Sequence, residues 1–297
     1  MLSELKDFLT ANGIEFEVDV PMSKNTTFRI GGNADIMIFP RSVEQVRDCV
    51  CELNRDNIRY ITVGNGSNLL VDDDGIRGAV IKTSRLDSVC VSGNEIVAGA
   101  GALNSKVANV ALEASLTGME FAHGIPGSIG GAVFMNAGAY GGTFADIVSE
   151  TTYVDQNGNI KTVKGKEHEF GYRHSCFANS DIICETRLML RDGDREKIKS
   201  EMQILIEKRK TSQPLEFPSA GSFFKRPEGY FAGKLIQDSG LKGASVGGAQ
   251  VSEKHAGFII NKGGATCKDV DGLRELVQKT VFEKFGVMLE PEVKRIK

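Results

Sequence analysis

Three segments of the chain combine glycine with small polar side chains in a way that suits a bound phosphate. They are Thr26-Thr27-Phe28-Arg29-Ile30-Gly31-Gly32, Gly64-Asn65-Gly66-Ser67-Asn68 and Gly124-Ile125-Pro126-Gly127-Ser128-Ile129-Gly130-Gly131. Without a Cβ, glycine lets a backbone approach an anion and turn successive N–H groups toward it, and serine hydroxyls add donors. Taken singly, such a cluster is more often a tight turn than a ligand site. Two familiar nucleotide signatures fail. The chain has no G-x-x-x-x-G-K-[ST], and Gly99-Ala100-Gly101 follows a strand pattern but meets Asn104 where G-x-G-x-x-G needs glycine. One arrangement that needs neither is a flavin lying between two α+β subdomains, its pyrophosphate caged by glycine loops.

Metal chemistry has less support. Cys49, Cys51, Cys90, Cys176, Cys184 and Cys267 form no C-x-x-C pair, and His123, His168, His174 and His255 lie at no zinc-ligand spacing from them. Buried, reduced thiols are the expectation, with no metal.

The elements that must position these segments show in the periodicity. Ser3 caps a first helix with Leu5, Phe8 and Leu9 on one face, and Gly13 stops it. Residues 35–39 read as a strand closed by Pro40. Ser42 and Gln45 make a capping box for a helix with Val43, Val46, Val50 and Leu53 inward. Residues 58–63 form a strand that runs into Gly64, so the chain opens as a β-α-β unit. Residues 89–91 and 95–98 make a hairpin around Ser92-Gly93-Asn94. Asn104 opens a helix carrying Val107, Val110, Ala111 and Ala114, ended by Gly118. A second hairpin spans 153–163 around Asn157-Gly158, and 181–190 is an apolar strand. Ile198, Met202, Leu205 and Ile206 stripe a helix after a domain boundary near 192. The last third alternates helix (228–239), strand (257–261), helix (268–285) and strand (288–296).

A chain of 297 residues has room for two or three domains. Its 36 basic and 39 acidic residues are interspersed, giving no general field for nucleic acid or an anionic membrane. The charged first residues fit no signal peptide, and no uncharged stretch is long enough to span a bilayer. The expectation is a cytoplasmic protein, a monomer or weak oligomer, with neither nucleic acid nor membrane as partner.

In their order along the chain, seven motifs resemble those of the UDP-N-acetylenolpyruvoylglucosamine reductases. They are Thr27-x-Arg29-x-Gly31-Gly32, Gly64-Asn65-Gly66-Ser67-Asn68-Leu69-Leu70, 124–132, Met135-Asn136-Ala137-Gly138-Ala139-Tyr140-Gly141, Gly171-Tyr172-Arg173-His174-Ser175, 218–225 and Leu289-Glu290-Pro291-Glu292-Val293. The likeness runs from about residue 25 to the C-terminus. It implies an α+β chain: a two-subdomain FAD-binding fold of the vanillyl-alcohol-oxidase type plus a C-terminal α+β substrate domain. Subdomain 1 would be 1–82 with the C-terminal strand 286–297, subdomain 2 would be 83–191, and the substrate domain 192–285. The implied cycle is ping-pong. NADPH gives its hydride to non-covalent FAD and leaves, and the enolpyruvyl sugar nucleotide then takes its place and is reduced to UDP-N-acetylmuramate for peptidoglycan.

The resemblance also assigns residues. Arg173 matches the arginine that grips the substrate carboxylate, Ser222 the proton donor, and Glu292 the glutamate that assists. For FAD it points to Arg29, Gly31, Gly64, Asn65, Gly66, Ser67, Asn68, Leu69, Gly127, Ser128, Gly130, Gly131 and Asn136, with Arg209 pairing a flavin or substrate phosphate. For substrate it points to Tyr172, Lys225, Arg226, Gln250 and His255. Without it, Arg173 reads as a surface arginine, Ser222 as a cap or loop serine, and Glu292 as an edge carboxylate.

Two departures stand out. The chain passes from Ser175 to the strand at 182–190 without the long tyrosine loop of some members, so it matches the short subtype and must close its site otherwise. Arg226 stands where many members have asparagine, and a diphosphate would welcome its charge. Two rival readings remain. A sugar or hydroxyacid oxidase on the same scaffold would need no Pro-Ser-Ala-Gly-Ser-Phe-Phe-Lys segment, and a non-catalytic nucleotide-sugar binder would need no proton donor.

Overall fold

Leu5 and Leu9, one helical turn apart, are fully buried, and the helix they stripe, α1 (Leu2–Ala11), stops before Gly13 at φ +63°. The computed structural model describes residues 2–297. After α1 come β1 (Glu15–Pro21), β2 (Asn33–Phe39), α2 (Val43–Arg55), β3 (Tyr60–Val63), β4 (Leu69–Val71) and β5 (Ile76–Lys82). The middle of the chain holds β6 (Val89–Ser92), β7 (Glu95–Gly99), α3 (Asn104–Glu113), β8 (Leu116–Thr117), α4 (Ile129–Phe134), β9 (Gly138–Ala139) and β10 (Gly142–Thr143). Then follow β11 (Val148–Val154), β12 (Ile160–Lys164), β13 (Ile182–Met189), β14 (Arg191–Asp192) and α5 (Arg195–Ser212). The last part holds β15 (Ser219–Ser222), α6 (Ala232–Asp238), β16 (Ser245–Val246), β17 (Ala249–Val251), β18 (Phe258–Asn261), α7 (Cys267–Phe285) and β19 (Lys294–Ile296).

Contacts divide the chain into two units. The first comprises the described residues through Val18 with Asp35–Asn65 and Gly78–Lys208, and the second Asp19–Ala34, Gly66–Arg77 and Arg209–Lys297. In the first unit, β3 runs parallel to β5 with Val63 opposite Lys82, inside a sheet of order β1-β2-β5-β3. Val46, Val50 and Leu53 of α2 and the two α1 leucines bury against Ile36, Ile38, Ala79 and Ile81. Each such side chain contributes about 1.5–3 kcal/mol on leaving water. A second sheet, β12-β11-β13-β7-β6, is antiparallel. It shares a core with Val107, Ala108 and Ala111 of α3, Ile129 and Val133 of α4, and Ile198 and Met202 of α5.

The second unit is built on the sheet β15-β18-β17-β16, whose core takes in Val270, Leu273, Val277 and Val281 of α7. Thr266 and Asp269 form a capping box that starts α7, and Gly286 at φ +68° ends it. The C-terminal strand β19 lies parallel to β4, with Lys294 opposite Leu69.

The local expectations are corrected in several places. Ser42 does cap α2, accepting from Gln45 N at 3.2 Å, but the Gln45 side chain accepts from Arg41 N rather than Ser42 N, so the capping box is half made. The turn after α3 comes earlier than Gly118, at Ser115 with φ +58°. The helix expected over 228–239 is only α6, because Gly229 at φ +72° turns the chain just before it. The strand expected over 288–296 divides: 290–292 pair with 223–225, Pro291 has no N–H to extend that ladder, and the chain then moves to β4. Cys49, Cys184 and Cys267 are buried as expected, whereas Cys51 and Cys90 are exposed.

Candidate active site

In the first unit, the end of β3 and the start of α4 meet at two residues. A Cβ on Gly64 would lie 2.4 Å from Ser128 Oγ, so only glycine fits there. Ser128 is 2% exposed, yet its hydroxyl has no hydrogen-bond partner among the described residues. A buried polar atom left without a partner is costly, and such an atom in a cleft lined by glycine invites a polar ligand. The neighbouring backbone is tightly held. Ile129 N donates to Ala102 O and Gly130 N to Ala100 O, each at 2.9 Å, and a Cβ on Gly130 would strike Ala100 at 2.8 Å. Gly127 takes φ +141°. Gly131 lies alongside, its Cβ position 3.9 Å from Ser128 Oγ, whereas Asn65 is exposed.

Three residues that the sequence reading missed support this cradle. Asn104, 1% exposed, donates its N–H to Gly127 O at 3.1 Å and its amide to Ile125 O at 3.3 Å. Thr83 Oγ1 lies 3.9 Å from the Gly64 Cβ position. Lys82 is 8% exposed opposite Val63, and burial pushes its ammonium down to about 8. The available signal was a lysine ending an apolar strand.

Asn136 connects the glycine-rich stretch to Arg173. Its side chain donates to Gly171 O and accepts from Ala145 N, both at 2.9 Å, with its own backbone at φ +41°. Gly171 and His174 bond each other across a two-residue turn that presents Tyr172 and Arg173. Arg173 takes φ +55°, and its guanidinium lies 5.3 Å from the Tyr172 ring centroid. Ser175 anchors the turn by donating to Phe134 O at 2.7 Å. A half-buried arginine on a pinned turn is suited to gripping a carboxylate.

In the second unit, one line of hydrogen bonds joins three of the expected segments. Lys294 N donates to Asn68 O at 2.9 Å, and the Asn68 amide donates to Glu292 O at 3.3 Å. Glu292 N donates to Phe223 O at 2.8 Å. Ser222, exposed at the end of β15, therefore sits one residue from the strand contact that holds Glu292. Lys225 N donates to Glu290 O at 2.8 Å, and the Lys225 ammonium pairs with the Glu290 carboxylate at 2.5 Å.

The other expected residues of this unit are placed as follows. Arg29 is exposed at φ +56° on a turn held by Thr27 Oγ1 donating to Ser219 O at 2.7 Å and by Asn261 donating to Phe28 O at 3.2 Å. A Cβ on Gly66, at φ +65°, would meet Asn25 O at 2.3 Å, and one on Gly31 would meet Val71 at 2.6 Å. Ser67 is partly buried beside them, and Leu69 begins β4. Arg209 reaches Gln213 at 3.1 Å. The Gln250 amide is engaged by Gly243 O and Ser245 Oγ, each at 3.1 Å. His255 Nδ1 accepts from Gly257 N at 3.1 Å, and burial lowers its pKa.

Residues 34–164 match the model of an FAD binding domain, and 213–296 match that of the UDP-N-acetylenolpyruvoylglucosamine reductase C-terminal domain. A UDP-N-acetylenolpyruvoylglucosamine reductase of Caldanaerobacter subterraneus subsp. tengcongensis is 48% identical over 295 residues, covering 99% of this chain and 97% of the relative. One from Clostridium perfringens is 52% identical over 286 residues, covering 96% and 94%. The crystal structure of UDP-N-acetylenolpyruvylglucosamine reductase from Thermus caldophilus superposes with a TM-score of 0.82 at 34% identity, over 96% of this chain and 99% of that one.

Proposed function

Since the chain belongs to the UDP-N-acetylenolpyruvoylglucosamine reductase family, we propose that Arg173, Ser222 and Glu292 carry its reaction. It is an FAD-dependent oxidoreductase that reduces the enolpyruvyl group of UDP-N-acetylglucosamine enolpyruvate to UDP-N-acetylmuramate in peptidoglycan synthesis. Bound FAD supplies the hydride, taken from NADPH and delivered to the methylene carbon.

The rest falls to side chains. Hydride addition leaves negative charge on the neighbouring carbon and the carboxylate. The Arg173 guanidinium grips that carboxylate through two parallel N–H bonds, so its charge acts where negative charge grows. The Ser222 hydroxyl gives its proton to the neighbouring carbon. Serine is a weak acid, but the carbanion it meets is a strong base. Glu292 either assists Arg173 in stabilising the intermediate or shares with Ser222 in the protonation path. The observation that carries this reading is the Glu292 N to Phe223 O bond, which fixes a carboxylate-bearing residue next to the strand end that bears Ser222.

For the cofactor, Gly64, Gly127, Ser128, Gly130, Gly131 and Asn136 of the first unit and Arg29, Gly31, Gly66, Ser67 and Asn68 of the second are the proposed contacts. The partnerless Ser128 hydroxyl and the closed Cβ position at Gly64 fit a diphosphate dinucleotide. Tyr172, Lys225, Arg226, Gln250 and His255 are proposed for substrate. The reading further makes the protein a cytoplasmic monomer or weak oligomer with NADPH as co-substrate. Among the described residues no helix is long and apolar enough to cross a membrane. The three-part division at 82 and 192 is also proposed, supported by the return of β19 to β4.

Anaerobic spectra test the cycle. The flavin should bleach with NADPH and recover on adding the enolpyruvyl sugar nucleotide. Recovery with oxygen alone would favour an oxidase, and protein without flavin would refute the assignment.

A further inference from the structure

We propose that Phe231, steadied by Arg226, is the shelf on which the nucleobase of the sugar nucleotide stacks; this rests on reading Ser222 and Lys225 as substrate contacts. Phe231 and Tyr230 stand 59% and 46% exposed on the turn before α6, within the second unit. Two adjacent aromatic rings left in water do nothing for the core, and exposed apolar surface of this kind marks a place that is covered by something else. The Arg226 guanidinium carbon lies 4.0 Å from the Phe231 centroid, and its Nε donates to Tyr230 O at 3.3 Å. Tyr230 N closes the turn on Pro227 O at 3.1 Å, with Gly229 at φ +72°. The ring is thus held in place before any ligand arrives. A phenyl face with a guanidinium against it offers stacking surface and positive charge together, the pairing that suits a base attached to a phosphorylated ribose.

The placement along the chain agrees. Beyond Ser222 the chain bends at Phe223, is bridged at Phe224 to Pro291, and is bonded from Lys225 N to Glu290 O at 2.8 Å. At about 3.3 Å per residue, the four steps from Ser222 to Arg226 reach at most about 13 Å. A hexose and a diphosphate set a similar separation between an enolpyruvyl ether and a base, and Lys225 falls along the path. His255 stands near the other end of the turn, its Cε1 3.3 Å from the Cβ position of Gly233. Because Nδ1 accepts from Gly257 N, its Nε2 is left to donate to a phosphate or a base carbonyl. A stacked base would close this end of the site.

The test is calorimetry of UMP and of inorganic pyrophosphate binding to the FAD-loaded protein, with Phe231→Ala and Phe231→Tyr. The alanine variant should weaken UMP about tenfold or more, leave pyrophosphate within about twofold, and raise KM for the sugar nucleotide by the UMP factor with kcat held. The tyrosine variant, which keeps a ring, should bind UMP as the unaltered protein does. The shelf is refuted if the unaltered protein does not bind UMP, if UMP affinity survives the alanine change, if both probes weaken equally, or if tyrosine fails to restore binding. The reductase reading fails separately: the unaltered enzyme would then not be reoxidised by the sugar nucleotide at all.

Discussion

The N–H of Glu292 donates to the carbonyl of Phe223 at 2.8 Å, and this bond holds the C-terminal segment beside the strand that ends in Ser222. The two residues are far apart in sequence, yet their contact is backbone to backbone, so it survives side-chain substitution. Asn68 extends the same lacing to the glycine loop, donating to Glu292 O at 3.3 Å. The strand end at Ser222, Glu292 and the glycine loop at Asn68 are therefore laced into one frame in the second unit.

Replacing Ser222 by alanine should leave that frame intact. The side chain is exposed, so stability should shift by no more than about 0.5 kcal/mol. Reoxidation of the reduced flavin by the sugar nucleotide should slow by about 10²–10⁴, while NADPH still bleaches it. Stopped-flow absorbance reads both halves, and an unaltered reoxidation rate would remove Ser222 from the protonation step.

Arg173 should tolerate lysine poorly. Lysine keeps the charge but not the two parallel N–H bonds, and it must adopt φ +55° without the guanidinium contact to Tyr172. Arg173→Ala should cost about 10²–10³ in kcat, with Arg173→Lys recovering only part of it. Full recovery with lysine would mean that charge alone suffices there.

Much of this frame was legible in the chain wherever the signal was local. Leu5 and Leu9 gave α1, and Gly93-Asn94 gave the β6–β7 hairpin, in which Ser92 faces Glu95. The Ser222–Glu292 proximity was legible only through the family motifs, since no local periodicity records a long-range strand contact. Lys82 carries no local signal of its 8% exposure, because that burial is tertiary. Asn104 read as a helix opener, and its clamp on Ile125 and Gly127 depends on how the loop folds back. The turn at 228–231 reads as helix in the sequence, because a single glycine is weak punctuation until its φ is known.

The fit between Gly64 and Ser128 gives a double-mutant test. Gly64→Ala places a methyl 2.4 Å from Ser128 Oγ and should strip FAD from the protein on gel filtration. Adding Ser128→Ala removes that oxygen and leaves the Ser128 Cβ at 3.7 Å, an ordinary contact. The double variant should regain the fold and part of the FAD affinity, the shortfall measuring the lost hydroxyl. Non-additivity is the expected signature of two residues in contact. Simple addition of the two losses would show that the residues act apart.

Lys82 should make stability depend on pH in a definite direction. Burial lowers its pKa from 10.5 to about 8. Between those values the unfolded chain holds a proton that the folded chain has released, so folding gains stability as pH rises through this window and loses it as pH falls toward 8. The full shift corresponds to about 3 kcal/mol. The thiols of Cys49 and Cys184, pushed up to about 12 by burial, act in the opposite sense over an overlapping range, so the unaltered protein alone cannot isolate the lysine. Lys82→Met keeps the length of the side chain and removes the titration. Urea unfolding at pH 7 and pH 10 should show unaltered protein gaining on the methionine variant by about 2–3 kcal/mol across the interval. Parallel curves for the two proteins would mean that Lys82 keeps its proton in the folded state and that burial does not govern its charge.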